Sequence, residues 1–292
     1  MRMPLGCHCP HLGPLARRTL RMVLRGWYTE FPYKKTSQIA MTNAEQFYLD
    51  QPVDYDDFFR TYVSPRRAIA ALGWEHPSIG EFMRMDAAVI FQHDLELAYH
   101  NQYVVLKAAI PIQNIRLEFG AAVEFSQGTL IAENDVEMSF AGTFGFFWLF
   151  PGQFNRMFSF TGKIAGGGID DSIVTPFIPI TTMFHGFIIR QKLSGLSIFT
   201  IDYSMRINQN TGASLGMSYF VRNDLAVYSG YPVAPDKEGY FLGPEFYGRV
   251  TWNPFSDLQL TAGGGIFMPI FGNAGTDRAR WKIEIGLSRV LY

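Results

Sequence analysis

The feature that most constrains this chain is an alternation of apolar and polar side chains from about residue 95 almost to the end. In the segment IRLEFGAAVEF, residues 115–125, the odd positions are Ile, Leu, Phe, Ala, Val and Phe, and the even positions are Arg, Glu, Gly, Ala and Glu. Alternate side chains point to opposite faces of a β-strand, whereas the faces of a helix repeat about every 3.6 residues. The pattern therefore predicts an all-β fold.

The breaks in this alternation are rich in Gly, Pro, Asn and Asp, which are common turn residues. About ten strands are predicted between them, within a range of roughly 8–12. The predicted strands are 95–109, 114–126, 135–149, 154–165, 173–191, 195–207, 212–222, 239–252, 257–269 and 281–291. The fifth departs from the pattern because it contains Pro176 and Pro179, and proline cannot donate a backbone hydrogen bond to a neighbouring strand.

The length of these strands favours a barrel that crosses a membrane. They run to roughly 11–15 residues, whereas strands of globular proteins cluster near 5–6 and a tilted membrane strand needs about 9–11. With an even number of strands, the long connections 223–238 and 270–280 share one end of the barrel, and the short NPFSD turn lies at the other. This asymmetry is typical of outer-membrane barrels, although the early connections 127–134 and 150–153 fit it less well.

Composition leaves two classes open. Charged residues are 17% of the chain, below the usual value of about 25%, aromatic residues are 15%, and the net charge is -1. No run of about 20 apolar residues predicts a transmembrane helix, and the charge gives no reason to expect a nucleic-acid partner. Such a chain is either a soluble all-β protein or an antiparallel transmembrane β-barrel whose outer face meets lipid.

The first 94 residues are expected to differ from the rest. In residues 1–42 the seven Arg and Lys residues face one acid, Glu30, and no apolar stretch of about 7–15 residues forms a secretory signal. This basic leader is expected to be disordered or to precede the true start. Residues 43–94 mix acids, prolines and helix formers, which predicts a helical or irregular lead-in. The barrel is expected over 95–292.

The polar faces of the predicted strands carry six bases and six acids, in the middle of strands as well as at their ends. In a membrane barrel these charges would line the lumen, where opposite charges have to pair. Equal numbers suit a paired network better than a strongly ion-selective pore. The predicted lumen-lining residues are Arg116, Glu118, Glu124, Glu137, Lys163, Asp202, Arg206, Arg222, Glu245, Arg249, Lys282 and Glu284.

Aromatic residues lie near the ends of the predicted strands, as in the aromatic girdles at the two interfaces of a membrane barrel. Ordinary strand propensity also favours aromatic residues, so the position near strand ends is the informative part. The predicted interface residues are Trp148, Phe150, Tyr240, Trp252 and Trp281.

Neither an enzyme nor a cofactor is predicted. No Gly-x-Ser-x-Gly motif appears, and His100 and His185 have no hydroxyl nucleophile that can be paired with them. The glycines of AGGGIF, residues 262–267, lack the Lys and the following helix of a phosphate-binding loop, so close packing in a barrel explains them better. The N-terminal CHCPH has crowded ligands and no second pair at the spacing of a zinc site, so no metal site is predicted.

The closing segment WKIEIGLSRVLY resembles the last strand of bacterial outer-membrane β-barrel proteins. IGLSRVLY is similar to the common ending VGLSYRF of that family, with Gly286 and Tyr292 in the corresponding places. The resemblance implies an outer-membrane location in a Gram-negative-type or spirochaete bacterium, and recognition of the last strand by the barrel-assembly machinery. Size and pattern are also similar to the small OmpW-like barrels, which have eight strands and are associated with small hydrophobic solutes.

The ending departs from the family in its phase. The apolar alternation from Trp281 to Leu287 continues to Leu291 and not to the terminal Tyr292. Either a bulge near Arg289 restores the phase, or Leu291 is the residue that the assembly machinery recognises.

Three hypotheses follow for function. The first is a passive, porin-like conduit for small solutes in the outer membrane. The second is a plugged barrel whose surface loops, the 223–238 loop above all, bind a host or cell-envelope partner. The third is a soluble β-barrel that binds an apolar ligand, which would need no signal peptide.

Overall fold

The computed structural model describes residues 19–23, 34–42, 67–79, 82–94, 99–128, 136–152, 154–166, 169–170, 173–174, 177, 185–189, 193–223, 239–274 and 278–290. Fifteen strands lie in these ranges, with a single 3-10 turn at Pro269–Phe271. The strands are β1 (Thr19–Val23), β2 (Lys34–Thr42), β3 (Arg67–Ile79), β4 (Met83–Asp94), β5 (Tyr99–Ile112), β6 (Ile115–Gly128), β7 (Glu137–Phe150), β8 (Arg156–Ala165), β9 (Ile169–Asp170), β10 (Ile173–Val174), β11 (Leu196–Asn208), β12 (Thr211–Arg222), β13 (Phe241–Phe255), β14 (Leu258–Phe267) and β15 (Arg280–Val290). In this part of the chain no helix is long and apolar enough to cross a membrane.

Thirteen of the strands form one antiparallel sheet in the order β1-β3-β4-β5-β6-β7-β8-β11-β12-β13-β14-β15-β2. From β4 to β15 each strand of this sheet pairs with the strand of the sheet that comes before it in the chain, so this part of the sheet is a meander. The short strands β9 and β10 pair with each other and interrupt the meander between β8 and β11.

The sheet has to curve round because its two edge strands, β1 and β2, are consecutive in the chain. Laid flat at about 4.8 Å per neighbouring pair, its thirteen strands would separate the edges by roughly 58 Å. The chain from Val23 to Lys34 can span at most about 40 Å when fully extended. The sheet therefore curves into a barrel, which confirms the all-β barrel that the sequence predicts.

The two faces of the barrel wall have opposite character. On β15, Ile283 and Ile285 point outward and are more than half exposed, while Glu284 between them is buried on the inner face. The same holds around the wall, where large apolar side chains on the outer face are left uncovered by protein. Examples are Leu72, Phe91, Val104, Phe119, Met138, Phe140, Leu215 and Val250.

The connections have two to five residues at one end of the barrel, whereas at the other end all but 95–98 have eight residues or more. At the short end they are 80–82, 113–114, 151–155, 209–210 and 256–257. At the other end they are 95–98, 129–136, 166–195, 223–240 and 268–279. The predicted asymmetry is therefore confirmed, and it also holds for the early connections, which the sequence pattern fitted less well.

Nine of the ten predicted strands are confirmed, with ends that differ by a few residues, and the estimate of about ten strands is close to the thirteen in the sheet. The fifth predicted strand, 173–191, is wrong. Within it only Ile173–Val174 form a strand among the described residues, and His185 to Ile189 lie inside the barrel. Proline lacks the backbone donor that a strand inside a sheet needs, which accounts for the irregular sequence pattern of this segment.

The N-terminal region also differs from expectation. Strands β3 and β4 occupy 67–94, where the sequence predicted a helical or irregular lead-in, and β1 and β2 lie within the expected leader. In β4 the alternation is present but is diluted by alanines, as in MDAAVIFQ, so the period of two is weak. Residues 43–66 lie outside the described ranges, and the rest of the domain division stays a prediction.

Candidate functional site

The candidate functional site is the lumen, which a stretch of chain enters between β10 and β11. We call residues 177–195 the inner segment; its described residues are 177, 185–189 and 193–195. Phe187, Ile188 and Ile189 are buried in a cluster with side chains of the surrounding wall. Phe177 is buried against Tyr103 of β5, with an edge-to-face ring contact of 6.0 Å. The inner segment thus contacts well-separated parts of the wall and narrows the lumen.

Glu245 of β13 holds the inner segment to the wall. Its carboxylate is fully buried and accepts three backbone hydrogen bonds. The amide of Phe187 donates to Oε1 at 2.5 Å, and the amides of Ile188 and Ile189 donate to Oε2 at 2.7 and 2.9 Å. Hydrogen bonds to an ionised group are about twice as strong as neutral ones, so this contact fixes the backbone of the segment.

The ring of Phe187 is enclosed by aromatic and charged groups of the inner wall. It stacks on Tyr247 at a centroid distance of 5.9 Å. The Lys282 ammonium lies 4.7 Å from the ring centroid and the Arg249 guanidinium 5.8 Å, both within the range of cation–π attraction. Glu284 pairs with both cations, at 2.6 Å to Lys282 and 3.1 Å to Arg249.

Glycines create the space that this arrangement needs. A Cβ on Gly265 would lie 3.0 Å from the Phe187 ring and 2.6 Å from the carbonyl oxygen of Phe246, and a Cβ on Gly263 would lie 3.4 Å from the same ring. The AGGGIF motif therefore clears the inner face of β14 for Phe187. This agrees with the prediction that these glycines serve close packing, and it identifies Phe187 as the side chain that packs against them.

A glycine on β12 likewise leaves room for a contact between side chains of its two neighbouring strands. Tyr247 donates a hydrogen bond of 2.6 Å to Asp202 of β11, across the intervening strand β12. A Cβ on Gly216 of β12 would lie 2.2 Å from the Asp202 carboxylate and 2.4 Å from Tyr247. Glycine at this position therefore permits the bond, and Asp202 orients the ring against which Phe187 stacks.

A second polar anchor joins the inner segment to β8. Lys163 lies 3.2 Å from Nδ1 of His185, and because an ammonium can only donate, the imidazole accepts. Burial and, to a smaller extent, the charge of Lys163 lower the pKa of His185 to about 4. His185 is therefore neutral near pH 7, which is the form that can accept this bond.

The wall on the β5–β7 side carries a separate polar cluster around Glu124. This buried carboxylate accepts hydrogen bonds from the amide of Asn101, from the Tyr103 hydroxyl at 3.1 Å and from the Ser139 hydroxyl at 2.9 Å. The cluster lies next to Phe177, so it supports the wall where the inner segment packs.

The remaining predicted lumen charges lie away from the inner segment and make separate contacts. Arg116 and Glu118 form an ion pair at 3.0 Å and are about half exposed. Arg206 donates to the backbone oxygen of Gln209 in the turn at the short end, at 2.5 Å. Arg222 is buried and donates to the backbone oxygen of Gly239, so it closes the base of a long loop. Glu137 lies in β7, and its side chain is outside the described part.

The predicted interface aromatics lie close to strand ends. Four of them are 39–49% exposed, namely Trp148, Tyr240, Trp252 and Trp281. Phe150 stacks on Trp148 at 4.5 Å. Trp148, Phe150 and Trp252 lie towards the short-turn end, and Tyr240 and Trp281 at the long-loop end. Their placement agrees with two girdles, and their membrane role stays a prediction.

The predicted assembly signal is described in part. Gly286 lies in β15 opposite Thr261, whereas Leu291 and Tyr292 are outside the described residues. The expected bulge near Arg289 is not present, since β15 pairs with β14 through Arg289 and with β2 through Val290 without a shift in register. Recognition of Leu291 remains the alternative.

The inner segment and the residues that hold it do not show in the sequence pattern. The pattern predicts a strand at His185 and no role for Phe187 or Tyr247, although it predicts Glu245 and Lys282 in the lumen. The available signal was the pair Pro176 and Pro179 within an apolar stretch that no membrane strand would tolerate well.

No protein-family model and no curated protein sequence matches the chain. Similar solved structures include OccK11 (OpdR) of Pseudomonas aeruginosa, which is 13% identical over 76% of this chain and 57% of that chain, with a TM-score of 0.48. The outer membrane channel DcaP of Acinetobacter baumannii is 10% identical over 77% of this chain and 64% of that chain, with a TM-score of 0.45. The KdgM porin is 5% identical over 89% of this chain and 100% of that chain, with a TM-score of 0.34.

The chain spans less than two thirds of the length of OccK11 and of DcaP. Similarity at this level assigns neither a substrate nor a subfamily, and the likeness to OmpW-like barrels is not confirmed. The class that the fold and the lumen define is an antiparallel β-barrel with an apolar outer wall and a charged, partly filled interior.

Proposed function

We propose that the chain is a β-barrel of the bacterial outer membrane that passes small solutes by passive diffusion, through a lumen narrowed by the inner segment. The observation that carries the proposal is the inverted placement of side chains. Large apolar residues are uncovered on the outer wall, and charged residues such as Glu124, Glu245 and Glu284 are buried on the inner face.

Lipid is the environment that suits such an outer wall. The largest apolar patch of a typical soluble monomer is about 300–600 Å², and larger ones mark contact with protein or membrane. Here uncovered large apolar side chains occur on every strand from β3 to β15 in the main sheet except β14. Because these strands have 10–15 residues, each is long enough to cross the hydrocarbon layer.

The lumen supplies a polar route with little net preference for one sign of charge. Arg116 pairs with Glu118, and Glu284 pairs with Lys282 and Arg249. Paired charges keep water and polar solutes in the lumen without building the strong single-sign field of an ion-selective pore. Weak selectivity by charge, with a size limit at the inner segment, is therefore expected.

Liposome swelling tests the conduit. Folding is first verified by heat-modifiable migration of the detergent-extracted protein on a gel. Proteoliposomes should then swell in small sugars, and swelling should cease as the sugar becomes larger. A folded protein that gives no swelling with any sugar would refute a conduit.

The second candidate, a plugged barrel that acts as a scaffold, is favoured by the apolar cluster of the inner segment, which fills part of the lumen. The loop 223–238 would then carry the binding function, and beyond Asn223 it lies outside the described residues. Deleting this loop should abolish binding to an envelope or host partner and leave folding intact. The swelling assay separates the two candidates, because a plugged barrel passes no solute.

We also expect the last strand to engage the barrel-assembly machinery through Leu291 or Tyr292. Replacing each in turn by Ser, and comparing insertion into membranes by heat-modifiable migration, identifies the recognised residue. Equal insertion of both variants would count against a C-terminal signal.

A further inference from the structure

The contact between Glu245 and the inner segment has the form of an anion-binding site. Three consecutive backbone amides, those of Phe187, Ile188 and Ile189, converge on the two oxygens of one carboxylate at 2.5–2.9 Å. Convergent successive amides form the concavities called nests, which bind anions in many proteins. The carboxylate comes from a strand of the wall, so the occupant and the site belong to different elements.

The surroundings make this site hard to leave empty. Glu245, Ile189 and Leu242 are each almost fully buried, so water does not replace the carboxylate. Buried amides without an acceptor are strongly unfavourable, and an isolated buried carboxylate is more so. Lys282, which also reaches the backbone oxygen of Phe187 at 3.4 Å, adds a positive charge nearby. The three buried amides therefore need an acceptor, and the buried carboxylate of Glu245 needs their hydrogen bonds.

We propose that the amides of residues 187–189 form a binding site for a carboxylate, that Glu245 is its tethered occupant, and that a free small carboxylate can take its place when the tether is removed. Since the occupant connects the inner segment to β13, the same site sets the position of the constriction. This second consequence rests on the proposed conduit function, whereas the binding of a carboxylate does not.

The chemistry of the replacement can be specified. Shortening Glu245 to Ala removes the groups beyond Cβ, which amount to one acetate ion. Acetate or formate can present two oxygens to the three amides as Glu245 does, whereas chloride offers a single spherical charge. In the native protein the tethered carboxylate has a high effective concentration, so millimolar free carboxylate does not compete with it.

Cysteine labelling tests the site without any need for conduction. Ile188 is buried, and Cys7 and Cys9 are the cysteines of the chain, so Ile188→Cys is introduced with both replaced by Ser. A water-soluble maleimide should label this protein slowly. Adding Glu245→Ala should raise the rate by about tenfold or more, since three charge-assisted hydrogen bonds are lost. Formate or acetate, but not chloride at equal ionic strength, should bring the rate back down.

Glu284→Ala is the matched control. Glu284 is a nearly buried carboxylate of the same wall, but it pairs with Lys282 and Arg249, whereas the amides of Phe187, Ile188 and Ile189 donate to Glu245. Any effect of Glu284→Ala on labelling should not be reversed by formate. Reversal in both variants would indicate a general salt effect and would overturn the site, as would a Glu245→Ala protein that labels no faster than its parent.

Single-channel recording then tests the role in the constriction. The Glu245→Ala channel should show a higher or noisier conductance that formate restores towards the native value. Where native protein conducts nothing and labelling still responds to formate, the site stands and the conduit is refuted. Where native protein conducts but neither readout responds to formate, the carboxylate site is refuted and the conduit stands.

Discussion

At the scale of single residues, the lumen depends on side chains placed where two elements meet. Phe187 fills space that Gly263 and Gly265 leave open, and Tyr247 reaches Asp202 over Gly216. Each glycine is on a strand where a larger residue would have better strand propensity. The positions of these glycines are therefore explained by the side chains that pack against them, and these contacts are visible only in the folded barrel.

Replacing Phe187 by Ala should widen the lumen, because the ring narrows it while Glu245 still holds the backbone. The free energy of unfolding should fall by about 3 kcal/mol, the usual cost of truncating a buried phenylalanine. Single-channel conductance should rise. Phe199→Ala is the control, since Phe199 lies on the outer face of β11 and should leave the conductance unchanged. An equal conductance for F187A and the native channel would contradict the constriction.

Acidification should loosen the inner segment through His185. The folded-state pKa of about 4 is below the ordinary value of 6.5, so folding favours the neutral ring. The stability that depends on this neutral ring is present at pH 7 and declines as the pH falls from about 6.5 through 4. Below pH 4 the charged ring faces Lys163 and can no longer accept its hydrogen bond.

The measurement is single-channel noise at pH 7, 5 and 4, compared with His185→Gln, whose side chain keeps an acceptor but does not titrate in this range. The native channel should become noisier on acidification, and the difference should be largely absent in His185→Gln. Identical pH profiles would assign the effect to other groups.

At the scale of elements, one false strand misled the sequence analysis about the loops. Counting 173–191 as a strand reverses the end of the barrel to which every earlier connection is assigned. Once the segment is removed from the sheet, 129–136 falls at the long-loop end with 223–240, and 151–155 falls at the short-turn end, as their lengths require. Successive connections of a meander alternate between the two ends of the barrel. One wrongly predicted strand therefore reverses the predicted end of every connection on one side of it in the chain.

The outward face of β15 should tolerate charge less than its inward neighbours. Ile285→Arg places a cation on the apolar wall, and near the middle of a bilayer this costs about 2–4 kcal/mol. Thr261→Arg is the control, since Thr261 lies on the inner face opposite Gly286. Urea unfolding in lipid vesicles should show the loss for Ile285→Arg and a much smaller one for Thr261→Arg. Equal losses would argue against a lipid-facing wall.

At the scale of the whole molecule, the number of strands raises a question of closure. In a sheet of thirteen antiparallel strands the first and the last run in the same direction, so β1 and β2 cannot pair as an antiparallel hairpin. A closed and fully antiparallel ring has an even number of strands. We therefore expect one of these two strands to close the ring between β15 and β3, which gives twelve strands.

The longer strand is the better candidate. β2 has nine residues and pairs with β15 over all of them, whereas β1 has five. Ile39→Pro in β2 should therefore reduce the folded, heat-modifiable fraction, because proline removes a backbone donor. The corresponding change in β1, Arg21→Pro, should have little effect. The opposite result would assign closure to β1.

Sequence alone predicts nine of the strands from β5 onward and which face of each of these strands is apolar. These are local properties, since a period of two fixes which side chains share a face whatever the strand pairs with. The resemblance of the last strand to those of outer-membrane barrels implies a location in the outer membrane. The uncovered apolar residues of the outer wall agree with this expectation.

The tertiary structure alone decided what occupies the lumen. Phe187 and Glu245 are 58 residues apart, and no local pattern predicts that the amides of 187–189 meet that carboxylate. Such a contact exists because a closed wall brings distant strands around one interior, where buried amides and a buried carboxylate must satisfy each other. The alternation of the sequence therefore predicts the strands of the wall. The constriction depends on the folding of the sheet into a barrel, which brings Glu245 to the inner segment.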